Sequence, residues 1–171
     1  MKVYTRKGDK GYTALYTGER RRKDDPIFML LGEIDELVCR IGNITTCETR
    51  MQTIQHELMT LSSWLASTSH ARLPNLMTLS TVSQMEGEID DITTALPKLR
   101  NFILPSGPAH SARVQCRKVE RLLNGETGQH VEHLLQQHPV ILKYINRLSD
   151  YLFTIARKAT RDQHLSETLH K

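Results

Sequence analysis

Apolar residues recur along most of this chain at steps of three and four, the spacing that lines up one face of an α-helix rather than one face of a strand. Leu30, Ile34, Leu37, Ile41 and Ile44 form one such row, Met51, Ile54, Leu58, Leu61 and Leu65 a second, and Val82, Met85, Ile89, Ile92 and Leu96 a third. A fourth segment, residues 108 to 123, carries Val119, Leu122 and Leu123, and a fifth, from 139 to about 161, carries Ile145, Leu148, Leu152 and Ile155. Each row predicts a helix with one buried stripe, and such stripes are satisfied by packing on one another. Consecutive helices joined by short connections lie antiparallel, so the pattern predicts an all-α protein built as a five-helix up-down bundle.

The ends of these segments carry suitable chemistry. Asp25-Pro26 reads as an N-cap and first helical residue, and Pro108 and Pro139 suit first turns, where a missing amide hydrogen costs nothing. Asn124-Gly125 supplies a stop. Residues 67–75 and 97–107 read as connections and 125–137 as a polar excursion. The first 24 residues lack helical periodicity. The chain therefore reads as a single domain over 1–171, with a loop at 1–24, a helical bundle at 25–161 and a tail at 162–171.

Composition narrows the class. With 171 residues, 39% hydrophobic and 25% charged, the chain is neither a disordered tail nor a collagen-like repeat nor a disulfide-dense mini-protein. No apolar stretch approaches the ~20 residues of a membrane span, and the N-terminus lacks the apolar run of a secretory signal. No membrane partner is expected, and the default location is the cytoplasm, with the mitochondrial matrix as the alternative for a processed eukaryotic chain. Cys39, Cys47 and Cys116 stand singly, without the paired spacing of a thiolate zinc site. His130 and His133 have a spacing that can bind metal on a helix, but they sit in a polar connection without a third ligand, so no metal site is expected.

Charge points to an anion. The net +4 arises from 23 basic and 19 acidic residues, and the basic ones cluster at 7–23 and 113–121. Aromatic residues make up only 5%, and no stacking platform alternates with the cations. A small phosphorylated ligand is favoured over a nucleic acid. In the first cluster, Lys7-Gly8-Asp9-Lys10-Gly11-Tyr12-Thr13 and Thr17-Gly18-Glu19-Arg20-Arg21-Arg22-Lys23 combine glycine, hydroxyl and cationic residues. Glycine lets backbone amides approach an anion, hydroxyls donate hydrogen bonds and lysine adds mobile charge, so the segment reads as a phosphate-cradling loop. It lacks the GxxxxGK[ST] order of a Walker A loop. In the second cluster, Arg113, Arg117 and Glu120 or Arg121 share one helix face, and an ion pair from Arg117 or Arg121 to Glu120 is the simpler reading of that stripe. On the last helix Asn146, Asp150 and Phe153 or Arg157 lie along one side.

Six blocks, in this order, resemble the PduO-type ATP:cob(I)alamin adenosyltransferases. They are Thr5-Arg6-Lys7-Gly8-Asp9-Lys10-Gly11; Gly18-Glu19-Arg20 with Lys23-Asp24-Asp25; Gly32-Glu33-Ile34-Asp35-Glu36-Leu37; Phe102-Ile103-Leu104-Pro105; Cys116-Arg117-Lys118-Val119-Glu120-Arg121; and Tyr144-Ile145-Asn146-Arg147-Leu148-Ser149-Asp150-Tyr151-Leu152-Phe153. The resemblance runs from Val3 to Arg157. It departs from the usual family pattern at Lys7, at Tyr16-Thr17-Gly18, at Val38 and in a shortened run from Phe102 to Arg113.

The resemblance implies a homotrimer that transfers the 5′-deoxyadenosyl group of ATP to Co(I) of a corrinoid, giving adenosylcobalamin and triphosphate. It implies that Thr5, Lys7, Gly8, Asp9, Gly11, Thr13, Lys23, Arg117, Glu120, Arg121 and Asn146 surround ATP, with Mg²⁺ on the polyphosphate. Arg117 and Lys23 are implied to act on the leaving group and Phe102 on the lower face of the corrin. Asp35, an acidic position in an otherwise apolar stretch, is expected to pair with a cation of the Arg113 face across the subunit boundary of such a trimer. Cob(I)alamin or cob(II)alamin is the second substrate, with a reductase and a B12-dependent enzyme as protein partners. The alternative is a non-catalytic helical module that binds ATP or corrinoid and delivers it to a partner.

Overall fold

Asp25 opens the first helix as its position before proline predicts: its carboxylate accepts from the Ile27 amide at 3.0 Å, satisfying one of the helix's free N–H groups. In the computed structural model, which describes residues 2, 4–67, 73–163, 165, 167 and 168, that helix is α1, Pro26–Gly42. It is followed by α2 (Glu48–Leu65), α3 (Leu79–Thr94), α4 (Gly107–Leu123), α5 (Gln129–Gln137) and α6 (Val140–Asp162). Two short antiparallel strands, β1 (Tyr12–Ala14) and β2 (Arg20–Arg22), precede them, with Thr13 opposite Arg21. Residues 68–72 of the expected 67–75 connection, residues 164, 166 and 169–171 of the expected tail, and Val3 at the head of the resemblance lie outside the described residues.

The first two apolar rows are buried throughout: Leu30, Ile34, Leu37, Ile41 and Ile44, then Met51, Ile54, Leu58, Leu61 and Leu65. Full burial of each such side chain contributes about 1.5–3 kcal/mol relative to exposure. On α3, Val82 and Met85 are buried, whereas Ile89 and Ile92 are only partly covered and Leu96 lies past the helix end. That helix is therefore the most loosely seated of the long ones. Cross-helix contacts give the directions. Arg40 reaches Ser111 while Glu33 reaches Lys118, His110 meets Phe153 while Cys116 meets Ile145, and Arg50 lies over Tyr151 while Glu57 meets Tyr144, so α4 runs antiparallel to α1 and α6, and α2 antiparallel to α6. α6 is central, packing on α4 and α3, and its buried row extends from Ile141 to Arg157.

Two expectations need correction. The described residues contain six helices rather than five, because part of the polar excursion at 125–137 folds as α5. Val131, Leu134 and Leu135 give it an apolar edge at helical spacing, which the surrounding Gln, His and Glu residues mask. His130 and His133 thus sit on a helix, with the His130 ring nitrogen 3.1 Å from the Leu65 carbonyl oxygen. The first 24 residues are likewise more than a loop. Their strands are too short for alternation to show in sequence, but the Leu15 amide closes on Glu19 and Leu15 itself is buried, seating the hairpin on the bundle. The Tyr16 amide adds a hydrogen bond to Ala66 at the end of α2.

Candidate functional site

The N-terminal segment folds around a cavity of about 540 Å³ lined by Thr5, Lys7, Gly8, Thr13, Arg20 and Lys23, among others. Its walls are held by the backbone. The Gly11 amide donates to Gly8, the Lys23 amide donates to Gly11, and Arg20 from the second strand donates to the Lys7 carbonyl at 3.2 Å. Gly11 has φ +79, a left-handed conformation that glycine adopts without a Cβ penalty. At Gly8 a Cβ would stand 3.1 Å from Lys23 Nζ, so a larger residue would push the lysine tip aside by a few tenths of an ångström. The Lys23 ammonium therefore lies directly against the Gly8 backbone, close to the first block's amides. Asp9 is exposed beside this cavity, and Thr13 is half-buried in it.

A second group of expected residues gathers on α4 and α6. Asn146 Nδ2 donates to Glu120 Oε1 at 2.8 Å, bringing two residues 26 positions apart into contact. This corrects the expected ion pair of Glu120 with Arg117 or Arg121, since Glu120 takes Asn146 instead. Asn146 is exposed, so its side chain is accessible to a ligand. Arg117 and Arg121 are exposed, and their guanidinium groups make no hydrogen bond or ion pair among the described residues. An unengaged arginine face is suited to an incoming anion, because no internal pair must first be broken.

The first helix packs against the arginine helix. Glu33 accepts from Lys118 Nζ at 2.7 Å and from Gln115 Nε2 at 2.7 Å, fixing α1 against α4. The Lys118 ammonium, and after it the Gln115 amide, hold the Glu33 carboxyl below its ordinary range. Sequence reasoning quoted Glu33 without a role. Asp35, two residues on, is exposed and unpaired among the described residues. Arg113 is half-buried and its Nε has no hydrogen-bond partner among the described residues. Nearby, burial and then the Arg113 charge lower the pKa of His110, whose ring packs edge-on to Phe153 at 5.7 Å.

Phe102 occupies the connection from α3 to α4 and is 84% exposed. It is therefore not a core aromatic, and exposed Leu99 and Leu104 flank it. An exposed phenylalanine between two exposed leucines offers an apolar surface without a nitrogen or oxygen donor. Within one chain the structure brings Glu120 to Asn146 and the loop residues to one another. It does not bring the loop cavity to Arg117, since no residue of α4 or α6 lines that cavity.

Among the described residues there is no group of three or more His, Cys, Asp or Glu side chains able to hold a metal ion. Among them too, no helix is long and apolar enough to cross a membrane. Burial pushes the Cys116 thiol well above its ordinary range, which removes it as a nucleophile at neutral pH.

Comparison with known proteins adds three results. The cobalamin adenosyltransferase family matches residues 3–159. Corrinoid adenosyltransferase MMAB of Mus musculus is 37% identical over 193 aligned residues, covering 99% of this chain and 77% of its own, and MMAB of Homo sapiens is 37% identical over 192, covering 99% and 73%. A variant PduO-type ATP:corrinoid adenosyltransferase from Lactobacillus reuteri, solved with cobalamin and ATP, superposes with a TM-score of 0.82 at 28% identity, covering 99% of each chain.

Proposed function

Because the chain belongs to the cobalamin adenosyltransferase family, we propose that its hairpin loop and its arginine helix form the two halves of one nucleotide site. The protein is an ATP:corrinoid adenosyltransferase, transferring the adenosyl group of ATP to a corrinoid. In the reaction, the electron pair on Co(I) attacks C5′ of ATP, a Co–C bond forms, and the C5′–O bond breaks with its pair leaving on triphosphate. Cobalt supplies the nucleophile, so the protein's task is orientation and stabilisation of charge growing on the leaving oxygens.

The single observation that carries this arrangement is the pairing of Asn146 with Glu120 beside the uncommitted Arg117 and Arg121. Thr5, Lys7, Gly8, Asp9, Gly11 and Thr13 hold the polyphosphate from the loop side, with the Gly8 and Gly11 backbone letting the chain come close. Lys23 and Arg117 meet the triphosphate, Arg121 adds charge, and Glu120 with Asn146 receives the nucleoside. The loop set fits Mg²⁺ arriving on the nucleotide: Asp9 and the Thr5 and Thr13 hydroxyls are oxygen donors, and magnesium bound with polyphosphates asks for few protein ligands. The ion would neutralise phosphate charge.

Phe102 covers the lower face of the corrin. Its ring excludes water or a base from the lower axial position, which eases reduction of Co(II) to Co(I) by a one-electron donor. Incubation of the protein with ATP and cobalamin reduced by titanium(III) citrate is expected to produce the spectrum of adenosylcobalamin. Bound ATP with no alkylated product would instead make this chain a carrier of its ligands.

The separation of the loop cavity from Arg117 within a chain is met if the site closes between subunits of a trimer. Among the described residues Arg113 Nε and Asp35 have no partner, which supports this, since a buried guanidinium N–H ordinarily finds an acceptor. Asp35 of one subunit supplies it to Arg113 of the next. Asp35→Ala is expected to shift the sedimentation profile from trimer toward monomer and to weaken ATP binding in step. An unchanged trimer with full ATP affinity would leave Asp35 as a solvated helix residue.

A further inference from the structure

The connection between α3 and α4, residues 95–106, is pinned over the C-terminal part of α6 at three points. Arg161 Nη1 donates to the Ala95 carbonyl at 3.2 Å, and Arg157 Nη2 donates to the Pro97 carbonyl at 2.7 Å. Further along, the Leu104 amide donates to the Thr168 carbonyl at 2.8 Å. Thr168 follows Glu167, which is itself tied back to α6. The Glu167 carboxylate accepts from Arg157 Nε at 2.6 Å and from Nη2 at 3.3 Å.

Arg157 is thus the common anchor. Its side chain is 5% exposed, and its planar fork spans the Pro97 carbonyl and both carboxylate oxygens of Glu167. Charge-assisted bonds of this kind fix orientation as well as distance. Phe102 lies between the pinned positions Pro97 and Leu104 with 84% of its surface free, so its direction is set by the backbone on either side. A cavity of about 530 Å³, lined by Leu99, Arg157, Leu165 and Glu167 among others, lies beneath the connection and gives it room to shift if the anchor fails.

We propose that Arg157 and Glu167 are positioning residues for Phe102: their ion pair ties residues 167 and 168 to α6, holds the connection through Leu104 and aims the ring at the lower face of the corrinoid. The inference rests on the corrinoid role of Phe102 given above. It predicts an effect on the cobalt substrate that spares ATP, because the residues assigned to the nucleotide lie elsewhere.

The test uses the full chain with Glu167→Ala, Arg157→Lys and Glu167→Gln. Lysine keeps the charge of Arg157 but lacks the fork that reaches both acceptors, and glutamine keeps one acceptor oxygen for Arg157. Turnover with cob(II)alamin and a one-electron donor, the KM for cobalamin, ATP affinity by calorimetry and the four-coordinate Co(II) signal in magnetic circular dichroism are measured beside thermal unfolding. Glu167→Ala and Arg157→Lys are expected to lose about tenfold to a hundredfold in kcat, the scale of a small misplacement. The four-coordinate signal falls in parallel, ATP affinity stays within twofold, and Glu167→Gln recovers most of both losses. If Glu167→Ala does not fold, Arg157→Lys carries the comparison. Folded variants that form the four-coordinate species as fully as the parent overturn the proposal, as does a loss of ATP affinity equal to the loss of turnover. A parent that makes no adenosylcobalamin overturns the functional reading itself, and this inference with it.

Discussion

Arg117→Ala is expected to lower adenosyl transfer by about 10²–10³-fold, the usual consequence of removing one preorganised donor from a developing anion. Arg117 is exposed on α4 and engages no carboxylate among the described residues, so its removal breaks no internal pair and opens no cavity. The inward face of the same turn is made by Cys116 and Val119, both fully buried, and by Gln115, which reaches Glu33. These keep α4 seated when the guanidinium is gone. The melting temperature and helical circular dichroism should therefore match the parent while kcat collapses. Because charge grows on triphosphate only as the C5′–O bond breaks, the loss falls more heavily on kcat than on ATP affinity. Near-normal turnover in the folded variant would take Arg117 out of the reaction.

Phe102→Ala is expected to have the second large effect, and on the other substrate. The side chain is so exposed that truncation costs the fold little. On the proposed reading, its loss would remove the apolar cover of the lower face of cobalt, so the corrinoid would regain an axial ligand and resist reduction. Turnover with a mild one-electron donor should fall by about tenfold or more, whereas cobalamin already reduced to Co(I) should react with a smaller loss. ATP affinity should not move, since the residues proposed for the nucleotide sit on the hairpin and on α4 and α6. A variant that forms four-coordinate Co(II) as well as the parent does would assign the lower face to another residue.

How much of this was legible before the structure differs by element. Asp25-Pro26 and Asn124 mark helix ends because capping is local chemistry, and both positions cap as their residue types predict. α5 was hidden by composition: Gln129, His130, Glu132, His133, Gln136 and Gln137 surround an apolar edge of three residues. The hairpin was hidden by length, since three residues per strand give period two no room to show. Among the candidate site residues, Glu120 and Asn146 were named separately and meet at 2.8 Å. The tie from Arg157 through Glu167 to the Phe102 connection could not be read from spacing. It depends on a backbone carbonyl at Pro97 and on where the chain turns after α6, neither of which leaves a mark in residue type.

The central helix α6 also acts as a ruler. Asn146, beside the proposed nucleotide residues, and Arg157, beneath the Phe102 connection, are eleven residues apart, which on an α-helix is about 16 Å and about three whole turns. The two positions are therefore nearly in phase, so one rigid rod sets both the gap and the relative heading of the two ligand-facing regions. A residue inserted between them would swing one region by about 100° relative to the other. The peripheral joints at 43–47 and 125–128 carry no such phase relation. Length variation in this protein should be absorbed there, while the stretch of α6 from Asn146 to Arg157 keeps a constant residue count.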